Sequence, residues 1–294
     1  MLNKAKLQTR AQGKINFYLD VLNKREDGYH NIKSVMQTVS LCDTVTLEAS
    51  ENGDGIVIDI TCSVPEIKCD SSNLVYRCAM AFFRKCGITC GYFKFHIEKN
   101  IPIAAGMAGG SADGAATLSL LNEAYSNPLS IDEMCALGSA IGADIPFCIM
   151  KGTCICEGIG EKITRLPTLS GIDIVCAIDS SSVSTPRAFS MLDAKYGISC
   201  TYSRDITELL NAIKSRDVMG VCSNLYNKFE DVIVPENKNI ELIKALLKEN
   251  GALSALMSGS GPSVFGIFLN ENDAEKAKSA LLEKGIRAYK CKTM

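Results

Sequence analysis

Hydrophobic and polar positions alternate along KINFYLDVLNK, residues 14–24. Ile15, Phe17, Leu19 and Val21 share one face, and Lys14, Asn16, Tyr18 and Asp20 share the other. That two-residue period predicts a half-buried strand. Asp27-Gly28, in REDGYH, signals a turn after it. SVMQTVSL, DTVTLEAS and GIVIDITC read as further strands, and ENGDG between the last two predicts a hairpin connection. Residues 72–86 carry a helical pattern that Ser71 or Ser72 would cap and Gly87 would end. YFKFHIEK returns to alternation, with Phe93, Phe95 and Ile97 on one face. A glycine run, AAGMAGGSADGAA, then leads into an Ala/Leu-rich helix opening at about Ser111, which Asn127-Pro128 stops. Ser130 and Glu133 make a capping box for the next helix, with Gly142 to close it and ADIPFCIM immediately after.

The texture changes beyond GTCICEGIGEKITRLP. Strand IDIVCAID is followed by SSSVSTPRAF, where Thr185 would cap and Pro186 would open a helix. Two or three helices are expected over residues 204–250. Strand ALSALMS, loop GSGPS, strand VFGIFL, helix DAEKAKSALLEKG and strand IRAYKCK finish the chain. With no low-complexity linker and no repeat, the pattern predicts two α+β domains, 1–158 and 159–294, sharing a cleft.

Composition narrows the function classes. The 294 residues are 47% hydrophobic and 22% charged, ordinary values for a globular chain. A net charge of −2 gives no general attraction to nucleic acid or an anionic membrane. No apolar run approaches the ~20 residues that cross a bilayer, and the basic N-terminus lacks an apolar signal core, so the expected location is the cytoplasm. The 14 cysteines are scattered without a CxxC pair, and only two histidines accompany them, so these spacings do not make a zinc site. They read as small reduced core residues.

The candidate chemistry lies in the glycine run. A Walker-type loop needs lysine after its last glycine, but Gly110 is followed by Ser111. A dinucleotide fingerprint needs glycine at position 108, which is alanine, and an acid ending the next strand, which is absent. What remains is a flexible loop opening a helix. Glycines admit a close ligand, and a helix N-terminus offers free N–H donors and partial positive charge, which suits a polyphosphate. A plain loop-to-helix turn capped by Ser111 or Asp113 stays open on this count alone. Two features add weight: SGSGP at residues 258–262, and Lys14 with Asn16 two apart on one strand face, where both would point into a cleft. Taken alone, the first is an ordinary turn and Lys14 an ordinary solvated strand-end lysine.

Together, AQGKINFYLDVLNKREDGYH, IPIAAGMAGGSADGAATL and LMSGSGPSVFGIF resemble the three signature segments of the GHMP kinase superfamily, in order, from about Ala11 to Phe268. GKIN, DGYH, GADIPF and STPRAF bring the likeness closest to the branch whose acceptor is a cytidine diphosphate-linked methylerythritol. The resemblance implies a ribosomal protein S5 domain 2-like ATP-binding domain followed by a ferredoxin-like domain. It further implies transfer of the ATP γ-phosphoryl group to the acceptor's 2-hydroxyl with Mg²⁺ as companion ion, in a monomer or homodimer.

It also implies roles for particular residues. Asp144 matches the catalytic base, where aspartate as a turn cap is the plain alternative. Lys14 matches the lysine beside that base, stabilising the transferring charge. Ala105, Gly106, Met107, Ala108, Gly109, Gly110, Ser111 and Ala112 match the phosphate loop, and Asn73 and Lys99 the adenosine pocket. Asn16 matches a residue near the acceptor hydroxyl. Tyr29 and His30 match the pair that recognises cytosine, Phe189 the opposing aromatic wall, and Thr185 a contact to the same ligand. Met107-Ala108 stands where Leu-Gly is usual, and Gly114 replaces a more usual alanine, weakening the helix start. Small residues are typical where Ser258 and Pro262 stand. No separate acidic Mg²⁺ ligand is identifiable, which leaves Ser111, water and the phosphates. A homoserine- or mevalonate-type kinase and a non-catalytic ligand sensor are the alternatives. The chain keeps both Lys14 and Asp144, which argues against the sensor.

Overall fold

A computed structural model describes residues 2, 5–51, 53–179, 184–198 and 204–294. The elements begin with β1 (Lys6–Lys24), β2 (His30–Ser50), β3 (Ile56–Cys62), α1 (Leu74–Cys86) and β4 (Gly91–Glu98). Next come α2 (Gly109–Ala124), α3 (Ile131–Ser139), α4 (Ile145–Met150), β5 (Thr153–Gly158), β6 (Lys162–Arg165) and β7 (Asp173–Ile178). Then follow α5 (Thr185–Tyr196), α6 (Thr207–Ser215), α7 (Val218–Ser223), β8 (Tyr226–Asn227), α8 (Glu230–Ile233) and a 3-10 turn, Val234–Glu236. The last are α9 (Lys238–Glu249), β9 (Ser254–Met257), β10 (Ser263–Phe268), α10 (Glu271–Glu283) and β11 (Arg287–Lys292).

Two compact units emerge, and a single cut near residue 158 does not separate them. The first holds residues 1–13, 42–102 and 108–150; the second holds 14–41, 103–107 and 151–294. The cause is strand length. SVMQTVSL and DTVTLEAS, expected as two strands, form the single 21-residue β2, so β1 and β2 each contribute to both units.

In the first unit β4 is the central strand. It pairs antiparallel with Thr44–Ser50 of β2 and parallel with β3. ENGDG is therefore not a hairpin turn, because β4 inserts between the strands it joins. The alternation of β4 buries Phe93, Phe95 and Ile97 on one face. Phe83 of α1 meets Phe93 with ring centroids 4.2 Å apart. Helix α1 starts two residues later than expected and is capped by Asn73, whose Oδ1 accepts from the Val75 N–H at 2.9 Å. Neither Ser71 nor Ser72 caps it. Gly114 has a packing reason: a Cβ there would lie 3.0 Å from Cys78 Sγ and 3.4 Å from Ile145 Cδ1. The Ser130–Glu133 capping box forms as expected, but α3 ends at Ser139, before Gly142.

In the second unit Ile32–Gln37 of β2 pairs antiparallel with β5, and β5 with β6. Tyr18 and Leu19 of β1 pair parallel with β8. A separate antiparallel sheet has the order β11-β7-β10-β9. With α5 to α9 between β7 and β9 and α10 between β10 and β11, this is the βαββαβ plan of a ferredoxin-like domain. Its core joins Val175 and Ala177 of β7, Val264 and Phe268 of β10, Ile240, Ile243 and Leu247 of α9, and Ala277 and Leu281 of α10. Between residues 204 and 250 there are four α-helices and a short strand, more than expected, because several are single turns with no readable period. Ser184, not Thr185, caps α5: its side chain accepts from the Arg187 N–H.

β1 is buried on both faces across Lys14–Val21, not half-buried. Its polar face finds polar partners. Asn16 donates to Ser34 Oγ at 2.8 Å, and the Tyr18 hydroxyl donates to Asp20 Oδ2 at 3.2 Å. Asp20 Oδ1 lies 3.4 Å from Lys228 Nζ. The described cysteines are all free thiols. Among the described residues no helix is long and apolar enough to cross a membrane.

Candidate active site

The expected site residues fall into two groups, one in each compact unit. The first group gathers where α2 begins. The backbone enters α2 through Ala108, whose φ of 58° is left-handed and costs a non-glycine residue about 1–2 kcal/mol. Helix α2 starts at Gly109, not at Ser111, and neither Ser111 nor Asp113 caps it: no side chain occupies the cap and no acid stands in its first turn. Its first N–H groups are therefore free to meet an anion. Ser111 lies in that first turn and is half-buried.

Beneath the helix start is a buried ion triad. Lys99 Nζ lies 2.6 Å from Asp43 Oδ2 and 2.7 Å from Asp113 Oδ2. Asp43 Oδ1 also accepts the N–H groups of Asn100 and Ile101 at 2.6 and 2.7 Å. A Cβ on Gly109 would sit 2.9 Å from Lys99 Nζ, so glycine lets the helix start close over the triad. Burial works to discharge Lys99, but the two carboxylates outweigh it and raise its pKa. Two acids share one cation, and the Asp113 carboxyl is pushed up to about 7. Burial is the largest cause; Lys99 opposes the rise and Asp43 adds to it. Asp113 Oδ1 has no hydrogen-bond partner.

Asp144 stands just before α4 and is half-buried. The turn is closed by backbone bonds, from the Ile145 N–H to Gly142 O and from the Cys148 N–H to Asp144 O, each 3.1 Å. Its carboxylate is not spent as a cap and has no partner among the described residues. Gly142 lies near the Ser111 hydroxyl: a Cβ there would be 4.0 Å from Ser111 Oγ. Asn73 is occupied as the cap of α1, and its Nδ2 donates to Lys68 O at 2.7 Å.

The second group is built on β1. Lys14 is only 4% exposed. Its ammonium donates to Asn16 Oδ1 and to Gly106 O, both at 2.8 Å, and its own N–H donates to Met107 O at 3.1 Å. No carboxylate pairs with it among the described residues. Asn16 Oδ1 also accepts the Gly259 N–H at 3.0 Å and the Ser258 hydroxyl at 3.3 Å. Gly106 must be glycine, since a Cβ there would fall 2.3 Å from Ser258 O. Asn227 steadies the SGSGP loop, donating to Met257 O at 2.7 Å and Gly259 O at 2.8 Å. GKIN, the front of the glycine run and SGSGP thus meet in one polar knot.

Farther along, Tyr29 is 62% exposed after a turn in which its N–H donates to Asp27 Oδ1. His30 is buried and stacks on Phe189, with ring centroids 4.6 Å apart and planes 13° from parallel. Its Nε2 lies 2.7 Å from Asp193 Oδ1. The Thr185 hydroxyl is 2.8 Å from Ser260 Oγ, tying the start of α5 to the SGSGP loop. Ser34, Asn227, Ser260 and Asp193 are participants the sequence reading missed. One signal was available: Thr185, Phe189 and Asp193 are spaced by four, on one helix face.

Among the described residues no three His, Cys, Asp or Glu side chains gather to hold a metal ion. A Mg²⁺ held mainly by substrate phosphates and water, with one protein hydroxyl, fits this donor set.

Residues 73–152 match the GHMP kinases N terminal domain and residues 200–287 match the family described as GHMP kinases C terminal. The chain is 42% identical to a 4-diphosphocytidyl-2-C-methyl-D-erythritol kinase of Caldicellulosiruptor saccharolyticus, covering 92% of this chain and 91% of that one. It is 43% identical to the Clostridium novyi protein of the same name, covering 88% and 90%. Among solved structures, a 4-(cytidine 5'-diphospho)-2C-methyl-D-erythritol kinase superposes with TM-score 0.81 at 25% identity, covering 98% of this chain and 99% of that one. Homoserine kinase from Cytophaga hutchinsonii shares the fold at TM-score 0.77 and 16% identity, covering 100% and 96%.

The triad generates a pH dependence. Unfolding returns Asp113 to the ordinary carboxylate range, near 4. Between about pH 4 and 7 the folded chain then keeps a proton that the unfolded chain has released. This group's contribution to stability is full at low pH and is lost as pH rises toward 7. In denaturant titrations, the stability of the wild type minus that of Asp113→Asn is expected to fall across that window and level off above it. A difference that stayed flat or rose would refute the assignment.

Proposed function

The chain belongs to the 4-diphosphocytidyl-2-C-methyl-D-erythritol kinases of the GHMP superfamily, and from that premise we propose how its residues carry the ATP-dependent phosphorylation of the acceptor's 2-hydroxyl. The enzyme is a small-molecule kinase of isoprenoid biosynthesis. The observation that carries the residue-level reading is the Lys14 ammonium, buried and bonded only to neutral oxygens. A buried cation without counter-charge is costly, and the oxygens of a transferring phosphoryl group relieve that cost.

Phosphoryl transfer needs positioning and charge stabilisation more than covalent help. The N–H groups of Gly109, Gly110 and Ser111 that open α2 hold the ATP phosphates together with the backbone from Ala105 to Ala108, and Ala112 lines the same turn with its own N–H bonded to Ala108 O at 2.9 Å. Gly109 and Gly110 allow the close approach. Lys14 stabilises charge on the γ-phosphoryl group as it transfers. Asp144, whose carboxylate has no partner among the described residues, takes the proton of the acceptor hydroxyl. Mg²⁺, when bound, neutralises charge on the phosphate oxygens, and the Ser111 hydroxyl is the residue that fits it. Asn73 and Lys99 serve the adenosine end, Lys99 by supporting Gly109 from beneath.

Asn16 has one amide hydrogen left for the acceptor after bonding Ser34. Tyr29 and Phe189 stack against the cytosine, His30 bonds its edge, and Thr185 contacts the same ligand. The reaction belongs to the cytoplasm, where ATP and Mg²⁺ are supplied.

An acceptor panel with ATP tests this reading. Turnover of the cytidyl-linked methylerythritol is expected to exceed that of homoserine and mevalonate, and equal turnover of all three would overturn it.

Asp144→Asn is expected to cut kcat by about 10²–10⁴-fold with ATP affinity retained. Near-normal turnover would show that the base lies elsewhere.

Phe189→Ala removes a stacking surface worth about 1–3 kcal/mol, which raises the acceptor KM roughly 5- to 150-fold and leaves the ATP KM in place. Equal rises in both constants would undo the stacking role.

A further inference from the structure

Helix α5 grips His30 in two ways. Phe189 lies flat against the ring, and Asp193, one turn later, holds its Nε2 at 2.7 Å. The second oxygen of Asp193 is not free: Lys24 Nζ, from the end of β1, donates to Oδ2 at 2.8 Å. Burial alone would raise the Asp193 carboxyl. Lys24 and His30 outweigh it and bring the carboxyl below the usual range, so it stays ionised. An ionised carboxylate only accepts hydrogen bonds, so Nε2 must carry the proton that joins the two residues. Lys24 offsets the negative charge of the carboxylate beside the ring. Nδ1 has no partner among the described residues and is not a buried orphan. It is an unpartnered lone pair in a ring whose plane and tautomer are both set.

We propose that Asp193, clamped by Lys24, is the positioning residue that fixes His30 as the Nε2–H tautomer, so that Nδ1 accepts from a 4-aminopyrimidine and rejects a 4-oxopyrimidine. The inference rests on the reading that His30 meets the base. A cytosine amine donates to that lone pair. A uracil carbonyl in its place would face it acceptor to acceptor, losing the bond and leaving both groups unpaired. Asp193 and Lys24 touch no substrate atom; they decide which base the histidine can bond.

Asp193→Asn gives a sharp test because Lys24 has only donors. Lys24 claims the amide oxygen, the amide N–H₂ then faces His30 Nε2, and the imidazole proton is driven to Nδ1. The chain has only two histidines, His30 and His96, so ¹⁵N spectra of histidine-labelled protein report the tautomer once His96→Gln assigns the signals. Wild type is expected to show the Nε2–H form and Asp193→Asn the Nδ1–H form. The preference for the cytidine-linked acceptor over its uridine-linked analogue should fall about 10- to 100-fold in the variant, through the acceptor KM, with the ATP KM unchanged. A wild-type His30 found as the Nδ1–H form or as imidazolium would overturn the proposal without any variant. So would an unchanged base preference in a folded Asp193→Asn enzyme whose tautomer has switched. His30→Ala separates the two levels. If it leaves the acceptor KM untouched, the recognition reading falls and the proposal with it. If it raises that KM while Asp193→Asn keeps the preference, only the proposal falls.

Discussion

The Lys14 ammonium is the constraint on which the polar knot of the second unit is built. It is buried, and its protein partners are one side-chain amide oxygen and one backbone carbonyl. Neutral oxygens solvate a cation but do not cancel its charge, so the pocket keeps a positive potential in a medium that screens it weakly. Lys99 makes the contrast. It is equally buried, yet the side chains of two acids lie within 2.7 Å of it, and its charge is compensated. One lysine is spent on holding a helix start in place. The other is bonded to neutral oxygens alone, and that difference is what the proposed phosphate role of Lys14 rests on.

Keeping Lys14 in place determines which residues its neighbours can be. Gly106 supplies the carbonyl that holds the ammonium, and its backbone runs so close to Ser258 that no Cβ fits. Gly259 approaches from the other segment with φ of 60°, its N–H on Asn16 Oδ1. Asn16 is the hub because one amide oxygen accepts a lysine, a hydroxyl and a backbone N–H together, while its nitrogen reaches Ser34 on the neighbouring strand. A carboxylate at that position would accept the same donors but would neutralise Lys14 and lose the bond to Ser34. Glycines in these two loops serve close approach to protein backbone as much as approach to a ligand.

Much of this was legible beforehand, for physical reasons that differ from place to place. The strand–helix pattern after residue 170 shows because a fully buried strand such as VFGIF reads as a short apolar run, and AEKAKSALLEK buries one face of a helix. The Ser130–Glu133 box is wholly local, so its sequence alone suffices. The loops around Gly106 and Gly259 were visible as glycine clusters, but Asn227, which fixes the second of them, lies in a two-residue strand without periodicity. The β2–β3 connection misled because a turn sequence says that the chain reverses, not whether another strand will enter the gap. The polar face of β1 looked solvent-facing because alternation reports polarity, not burial, and each polar group there meets a partner distant in sequence. His30 and Phe189 were readable separately, whereas their stacking depends on tertiary placement.

Helix α5 shows how one element serves several ends at once. Thr185, Phe189 and Asp193 recur every fourth residue, so they form a single stripe. Its start is tied through Thr185 to Ser260 of the loop that touches Asn16, its middle presents a ring to His30, and its next turn holds that ring's nitrogen. Any shift of α5 along its axis would therefore loosen the SGSGP loop and the histidine together. On the proposed reading, base recognition and the setting of the Lys14 knot are coupled mechanically through one helix. The lone Nδ1 of His30 and the uncompensated Lys14 are two places, among the described residues, where this tightly bonded unit leaves hydrogen-bonding capacity or charge unsatisfied, and on the proposed reading each meets the kind of group that the acceptor and ATP supply: a base amine and a phosphate.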